Sequence, residues 1–185
     1  MFYEYNINNP NSIFNFKQDL HSIISSSLAN DHIVIFYFIG TDRCTGDSMG
    51  PIAGERFKYL NFNNILFFGS LENPVHAVNI HEIVNRNFLL YKNALTIAID
   101  ASLGTKSNMG KVYLQDKPVK PGSALNKSIP IIGDYSITGI VNYSDSLDFL
   151  TLQNTRLYNV FRLSSFISEG IYLSISECQQ TKKAL

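Results

Sequence analysis

The sequence predicts an α/β protein built on a doubly wound, mainly parallel sheet, and three observations carry that prediction. Residues 33–39, Ile-Val-Ile-Phe-Tyr-Phe-Ile, form an unbroken apolar run, as strands buried on both faces of a parallel sheet do. Two more short apolar runs, Ile65-Leu66-Phe67-Phe68 and Ala94-Leu95-Thr96-Ile97-Ala98-Ile99, alternate with stretches of helical spacing. That strand–helix–strand–helix–strand order is the mark of the class, and the right-handed crossover rule leaves few arrangements of it. With 185 residues, 45% of them hydrophobic, the chain suits one domain over residues 1–185 with a substantial core.

Along the chain, residues 1–11 are rich in Asn and Tyr and are expected to fray. From Ser12, a plausible N-cap, the spacing of Ile13, Phe16, Leu20, Ile23, Ile24 and Leu28 follows one helical face. A loop over 40–50 follows the first apolar strand, then a helix over about 51–59, with Pro51 as its start signal. The second strand ends at Gly69, and a helix over about 74–87 follows with Val75, Val78 and Ile83 on its apolar side. The third strand ends at Asp100. Lys111–Gln115 and residues 129–142 read as β-extensions. Residues 148–176 read as one long helix, or two broken near Gly170, and the polar tail 177–185 is expected to be loose.

Composition excludes several classes. Fifteen basic and fifteen acidic residues give a formal net charge of zero, without the basic footprint a general nucleic-acid binder needs. Charged residues are only 16%, against roughly 25% in an average soluble domain, yet no apolar run approaches the ~20 residues that span a bilayer. Residues 1–11 lack the basic start and apolar stretch of a secretory leader. Cys44 and Cys178 imply neither a metal knuckle nor a disulfide framework, so a reduced, cytoplasmic compartment is expected. A low-charge surface rich in Phe and Tyr leaves room for self-association into a homo-oligomer.

Ligands of open α/β sheets bind beyond the carboxyl ends of the strands, where strand order reverses. Two segments occupy such ends: Gly40-Thr41-Asp42-Arg43-Cys44-Thr45-Gly46-Asp47-Ser48-Met49-Gly50-Pro51 and Asp100-Ala101-Ser102-Leu103-Gly104. The first is no phosphate loop, because five residues separate Gly40 from Gly46 and Asp47, not Lys, follows. It reads better as a device that presents acids. Asp47 precedes a helix start, where the helix dipole favours an anion; Asp100 ends a buried strand, where desolvation raises a carboxyl pKa. If the first and third strands are neighbours, the two acids face one cleft, share a proton and divide general-acid and general-base work. The plainer reading makes Asp47 a helix cap and Asp100 a turn-forming residue.

Rival chemistries are weaker. Asp42, Asp47 and Asp100 with His76 or His81 offer metal ligands, but no recognised zinc spacing is present. Cys44 beside Arg43 has no local His, and no nucleophile elbow occurs. Gln153-Asn154-Thr155-Arg156 is either a solvated first helical turn or a set that sends Asn154 or Arg156, with Asn142, toward the cleft to orient substrate.

At these residues a family resemblance becomes usable. The two loop segments, Asn73-Pro74-Val75-His76-Ala77, Lys120-Pro121-Gly122, Ile132-Gly133-Asp134, Thr138-Gly139-Ile140-Val141-Asn142 and Leu152-Gln153-Asn154-Thr155-Arg156-Leu157 resemble the YyaC family of sporulation proteins. That family is similar to the germination protease of spore formers, an atypical aspartic endopeptidase that degrades small acid-soluble spore proteins. In fold it resembles the hydrogenase maturation endopeptidases. The resemblance implies a three-layer α/β/α sandwich with a mixed, mainly parallel sheet of the phosphorylase/hydrolase-like kind. It implies catalysis by Asp47, matching the acid of the protease's Thr-Pro-Asp-Ala-Leu-Gly-Pro motif, and by Asp100, matching its Asp-Ala motif. Thr41, Asp42, Arg43, Asn142, Asn154 and Arg156 are then supporting or substrate-binding residues. No metal or other cofactor, nucleic acid or membrane is expected, and the substrate is a protein or peptide in the cytoplasm of the developing spore. Thr45-Gly46-Asp47 departs from the motif with Gly where the protease has Pro. No His follows His81, so the later metal-binding His of the maturation enzymes has no counterpart.

Overall fold

The computed structural model describes residues 1–121, 131–144 and 147–183. Its elements in chain order are β1 (Phe2–Asn6), α1 (Ser12–Ala29), β2 (Val34–Phe38), α2 (Met49–Glu55), β3 (Ile65–Phe68), α3 (Ile80–Leu90), β4 (Leu95–Gly104), β5 (Lys111–Gln115), β6 (Tyr135–Tyr143), α4 (Asp148–Gln153) and α5 (Leu157–Lys183), with 3-10 turns at Gly46–Ser48 and Lys106–Asn108.

The strands form one six-stranded sheet in the order β1-β5-β6-β4-β2-β3. Strands β6, β4, β2 and β3 run parallel to one another, while β1–β5 and β5–β6 pair antiparallel. Alternation along β2 explains why its run is apolar throughout. Val34, Phe36 and Phe38 join Ile97, Ile99, Ile137 and Val141 in the core under α1, α2 and α5. Ile35, Tyr37 and Ile39 face the other way with Ala98, Val75, Ile132 and Ile80 of α3. This gives three layers, α/β/α, around a mixed and mainly parallel sheet.

Several elements differ from the expectation. Residues 2–6 do not fray. Tyr5 pairs with Val112 across β1–β5, its ring meets Phe16 edge-on at 5.1 Å, and its hydroxyl donates to Asp19 at 2.7 Å. Aromatic strand propensity and that burial outweigh the flanking asparagines. Ser12 opens α1 as its first residue, with Asn11 at the cap position. Nor does a helix begin at Pro74. Val75 bridges Ile39 and is buried, leaving Val78 82% exposed, so helix α3 waits until Ile80. The predicted 51–59 helix starts two residues earlier, and the 3-10 turn Gly46–Ser48 leads into it.

Strand β4 does not end at Asp100; it continues to Gly104 because β6 pairs with it over that stretch. Of the predicted 129–142 extension, residues 129 and 130 lie outside the described residues, as does Gly122 of the Lys120-Pro121-Gly122 segment, and β6 begins at Tyr135. The final helix breaks at residues 154–156 rather than at Gly170. Thr155, buried there, donates its Oγ1 to Thr151 O at 2.7 Å, a side-chain bond that competes with the helical ladder. Gly170 lies inside α5 where the Phe16 ring packs, leaving no room for a Cβ. The expected loose tail is helical to Lys183, held where Ile175 and Cys178 bury against α1 and where Lys17 pairs with Glu177.

Candidate active site

The chain leaves β2, adds β3 on one side, then returns to add β4 on the other. The crevice between the carboxyl ends of β2 and β4 is therefore the switch point of the sheet. Gly40 opens the loop there with φ +137°, and a Cβ on it would strike the Asp47 carbonyl oxygen; only glycine fits. The same carbonyl accepts the Thr41 N–H at 3.2 Å, and the Asp47 N–H donates to Cys44 O at 3.1 Å. Asp47 is thus fixed inside a tight 3-10 turn that runs directly into α2, two residues ahead of its first residue Met49.

Asp100 comes from β4, next to β2 in parallel register. It shares the side-chain parity of Ala98, on the sheet face opposite α1 and α5. On that face a cavity of about 510 Å³ opens, lined by Thr41, Cys44 and Asp47 from the loop and by Asp100, Ser102 and Thr138 from the sheet, among others. Asp100 and Thr138 are register partners, and Tyr113 of β5 is the next partner across. Lys117 and Lys120 also line the cavity, as do Phe149 and Leu152 of α4.

The electrostatics follow from burial. Desolvation pushes the Asp47 carboxyl up to about 6, against a hydrogen bond from the Thr41 backbone and the charge of nearby His76, both pulling down. Asp100 is only 7% exposed. Its pKa is raised well above the ordinary carboxyl value, by burial first and then by the charge of Asp47. The two acids therefore feel each other, and the cleft favours one proton held between them over two charges. Burial pushes the Cys44 thiol up as well, so this cysteine is not a ready nucleophile. Among the described residues, no three His, Cys, Asp or Glu side chains gather in a way that could hold a metal ion.

The structure brings together Asp47, Asp100 and Thr41. It leaves the other predicted residues apart from the cavity. Asp42 and Arg43 are exposed in the loop, the Arg43 N–H donating to Thr41 Oγ1 at 3.3 Å. Asn142 donates its Nδ2 to Thr155 Oγ1 at 3.2 Å, tying β6 to the break between α4 and α5. Asn154 is exposed and bonds Leu150 O at 2.9 Å, and Arg156 is exposed on the same link. The sequence reading passed over Ser102, Ser136 and Thr138, although the alternation of Ser136 and Thr138 with buried Ile137 was a visible sign of a polar strand face. His76, weighed in the sequence as a metal ligand, stands close enough to Asp47 to act on its charge. Its Nδ1 lies 3.3 Å from the Val78 backbone nitrogen.

No helix among the described residues is long and apolar enough to cross a membrane. Among known proteins, the [NiFe] hydrogenase maturation protease HycI from Thermococcus kodakarensis KOD1 aligns in structure with a TM-score of 0.42 and 16% identity, over 81% of this chain and 99% of that one. The uncharacterized protein YyaC of Bacillus subtilis (strain 168) is 40% identical over 159 residues, 85% of this chain and 78% of that protein, which bears out the YyaC resemblance read from the motifs. The family model of DUF1256, described as a protein of unknown function, matches residues 4–170, and the chain belongs to that family.

Proposed function

We propose that this protein is an aspartic-type endopeptidase that acts in sporulation and hydrolyses peptide bonds with Asp47 and Asp100. The observation that carries the reading is the meeting of two acids, from separate segments, in one cavity where burial raises both carboxyl pKa values. Asp100, the more deeply buried, holds the shared proton and gives it to the substrate carbonyl oxygen. Asp47, ionised above about pH 6, takes a proton from water as the water oxygen bonds to the carbonyl carbon. Asp47 then returns that proton to the leaving nitrogen, the C–N bond breaks, and Asp100 recovers its own from the tetrahedral oxygen. Thr41 holds Asp47 in place through its backbone N–H. The substrate is a protein or peptide, with small acid-soluble spore proteins the first class to assay, in the cytoplasm of the developing spore. No metal or other cofactor enters the scheme.

The test is cleavage of a purified small acid-soluble spore protein and of unfolded casein. Asp47→Asn and Asp100→Asn should each abolish cleavage with an unchanged circular dichroism spectrum. Full activity in either variant would sink the acid-pair mechanism. A second reading, a non-catalytic binding or regulatory module, is favoured by Ser102, Ser136 and Thr138, hydroxyls that line the cavity without any need for the acids. It predicts an inert wild type and partner capture that survives the double Asn variant.

A further inference from the structure

Strand β4 is paired on both sides only as far as Ile99. Beyond that point β6 still pairs with it to Gly104, but β2 has ended, its last register pair being Phe38 with Ile99. The backbone groups of β4 alternate in direction. Leu95 N–H donates to Ile33 O and Ile99 O accepts from Ile39 N–H, so odd residues face the β2 side. Thr96 O accepts from Asp134 N–H and Gly104 O from Ser144 N–H, so even residues face the β6 side. Ala101 and Leu103 therefore turn their N–H and C=O groups into the lane that β2 has vacated.

The Ala101 N–H is engaged by the Asp100 carboxyl, and the Leu103 carbonyl accepts Ser102 Oγ at 3.1 Å with a lone pair to spare. Among the described residues, no backbone group bonds the Ala101 carbonyl or the Leu103 N–H from that side. Ala101, Ser102 and Leu103 are only partly buried and line the same cavity as Asp47 and Asp100. A sheet edge of this kind is a template for an added strand.

We propose that an extended polypeptide docks in this lane as a strand parallel to β4, one of its residues giving its N–H to the Ala101 carbonyl and its C=O to the Leu103 N–H. An extended peptide is the occupant because the lane offers one acceptor and one donor on alternate residues, the pattern a parallel neighbour satisfies with a single residue opposite Ser102. The residue two further along gives its N–H to the Leu103 carbonyl. Ile39 fills the lane beside Asp100, its N–H on Ile99 O, so the preceding part of the peptide enters from the cavity that Asp100 lines, and the bond to be cut lies on the N-terminal side of the docked residue. The inference rests on the peptidase reading of this site and adds to it how the substrate is held and which way it runs.

The probes are fluorescein-labelled dodecapeptides tiling unfolded casein, screened by anisotropy against the Asp47→Asn protein. The tightest is then N-methylated at one residue at a time. Docking predicts about tenfold weaker binding at two positions, two residues apart, with the position between them tolerant. It also predicts slowed amide exchange at Leu103 when the peptide is bound. Uniform loss along the peptide, loss at neighbouring positions, unchanged exchange at Leu103, or no peptide bound tighter than ~1 mM overturns it. Cleavage by the wild type without the two-apart pattern overturns the docking and leaves the peptidase reading standing; the pattern without cleavage does the reverse.

Discussion

Replacing Asp47 with asparagine should make the protein more stable, and by an amount the structure supplies. The Asp47 carboxyl sits at about 6 in the fold against an ordinary 3.8, mainly because burial disfavours the charged form. The folded state thus binds a proton that the unfolded chain has already lost between those two pH values. Stability from this group is complete below pH 3.8 and is lost as pH rises through 6. A shift of about two pKa units corresponds to about 3 kcal/mol at pH 7 and above. An asparagine of the same shape carries no charge and escapes that cost. Urea titrations of wild type and Asp47→Asn should therefore differ by about 3 kcal/mol at pH 7.5 and by less than about 0.5 kcal/mol at pH 4. In melting temperature the neutral-pH gain is roughly 6–12 °C for a chain of this size. A variant no more stable than wild type at pH 7.5, or one whose advantage persists undiminished at pH 4, would refute the claim that Asp47 is ionised at the expense of the fold.

Three other outcomes are expected. Peptide cleavage should rise with pH through about 6 as Asp47 loses its proton, and fall at higher pH as Asp100 gives up its own; a pH–rate profile flat from 5 to 9 would contradict the acid pair. Gly40→Ala should destabilise by ~2 kcal/mol or more and abolish cleavage, because its Cβ meets the Asp47 carbonyl at a φ that side chains rarely adopt; urea unfolding and the peptide assay read both. Tyr37→Phe should cost about 1–3 kcal/mol in urea unfolding, since fully buried Asn87 would lose the hydroxyl that accepts its Nδ2 at 3.2 Å.

The parts of the fold legible in the sequence were those whose burial is local and periodic. Residues 33–39 announce a central strand because both faces are apolar, and the spacing from Ile13 to Leu28 announces α1 because one stripe faces the sheet. Asp47 and Asp100 were legible because each follows an apolar run in the sequence, Asp47 in the loop after residues 33–39 and Asp100 immediately after residues 94–99. What was not legible depends on partners distant in sequence. Tyr3 and Tyr5 look like part of a polar terminus until β5 is placed beside them, and Val75 looks helical until Ile39 claims it. Residues 101–104 read as a loop because strand β2 stops short, and only β6 keeps them extended. Asn142 reads as a cleft residue, yet Thr155 is near enough to take its amide. In each case a tertiary contact overrides a local signal that was itself read correctly.

The position of β1 at the far edge of the sheet bears on how the molecule assembles during synthesis. Phe2 pairs with Gln115, so β1 leaves the ribosome and waits for a partner more than a hundred residues behind it. At ordinary elongation rates that delay is on the order of ten seconds, far longer than a hairpin needs to form. Until then Tyr3 and Tyr5 have no sheet to join, and the β5 side of the nascent sheet is not yet made. The closing of that long loop is a step of high contact order, so β1, made well before its partner, docks late. A chain stalled while β5 is still inside the ribosome should accordingly leave β1 open to proteolysis, and one stalled after α5 has emerged should not.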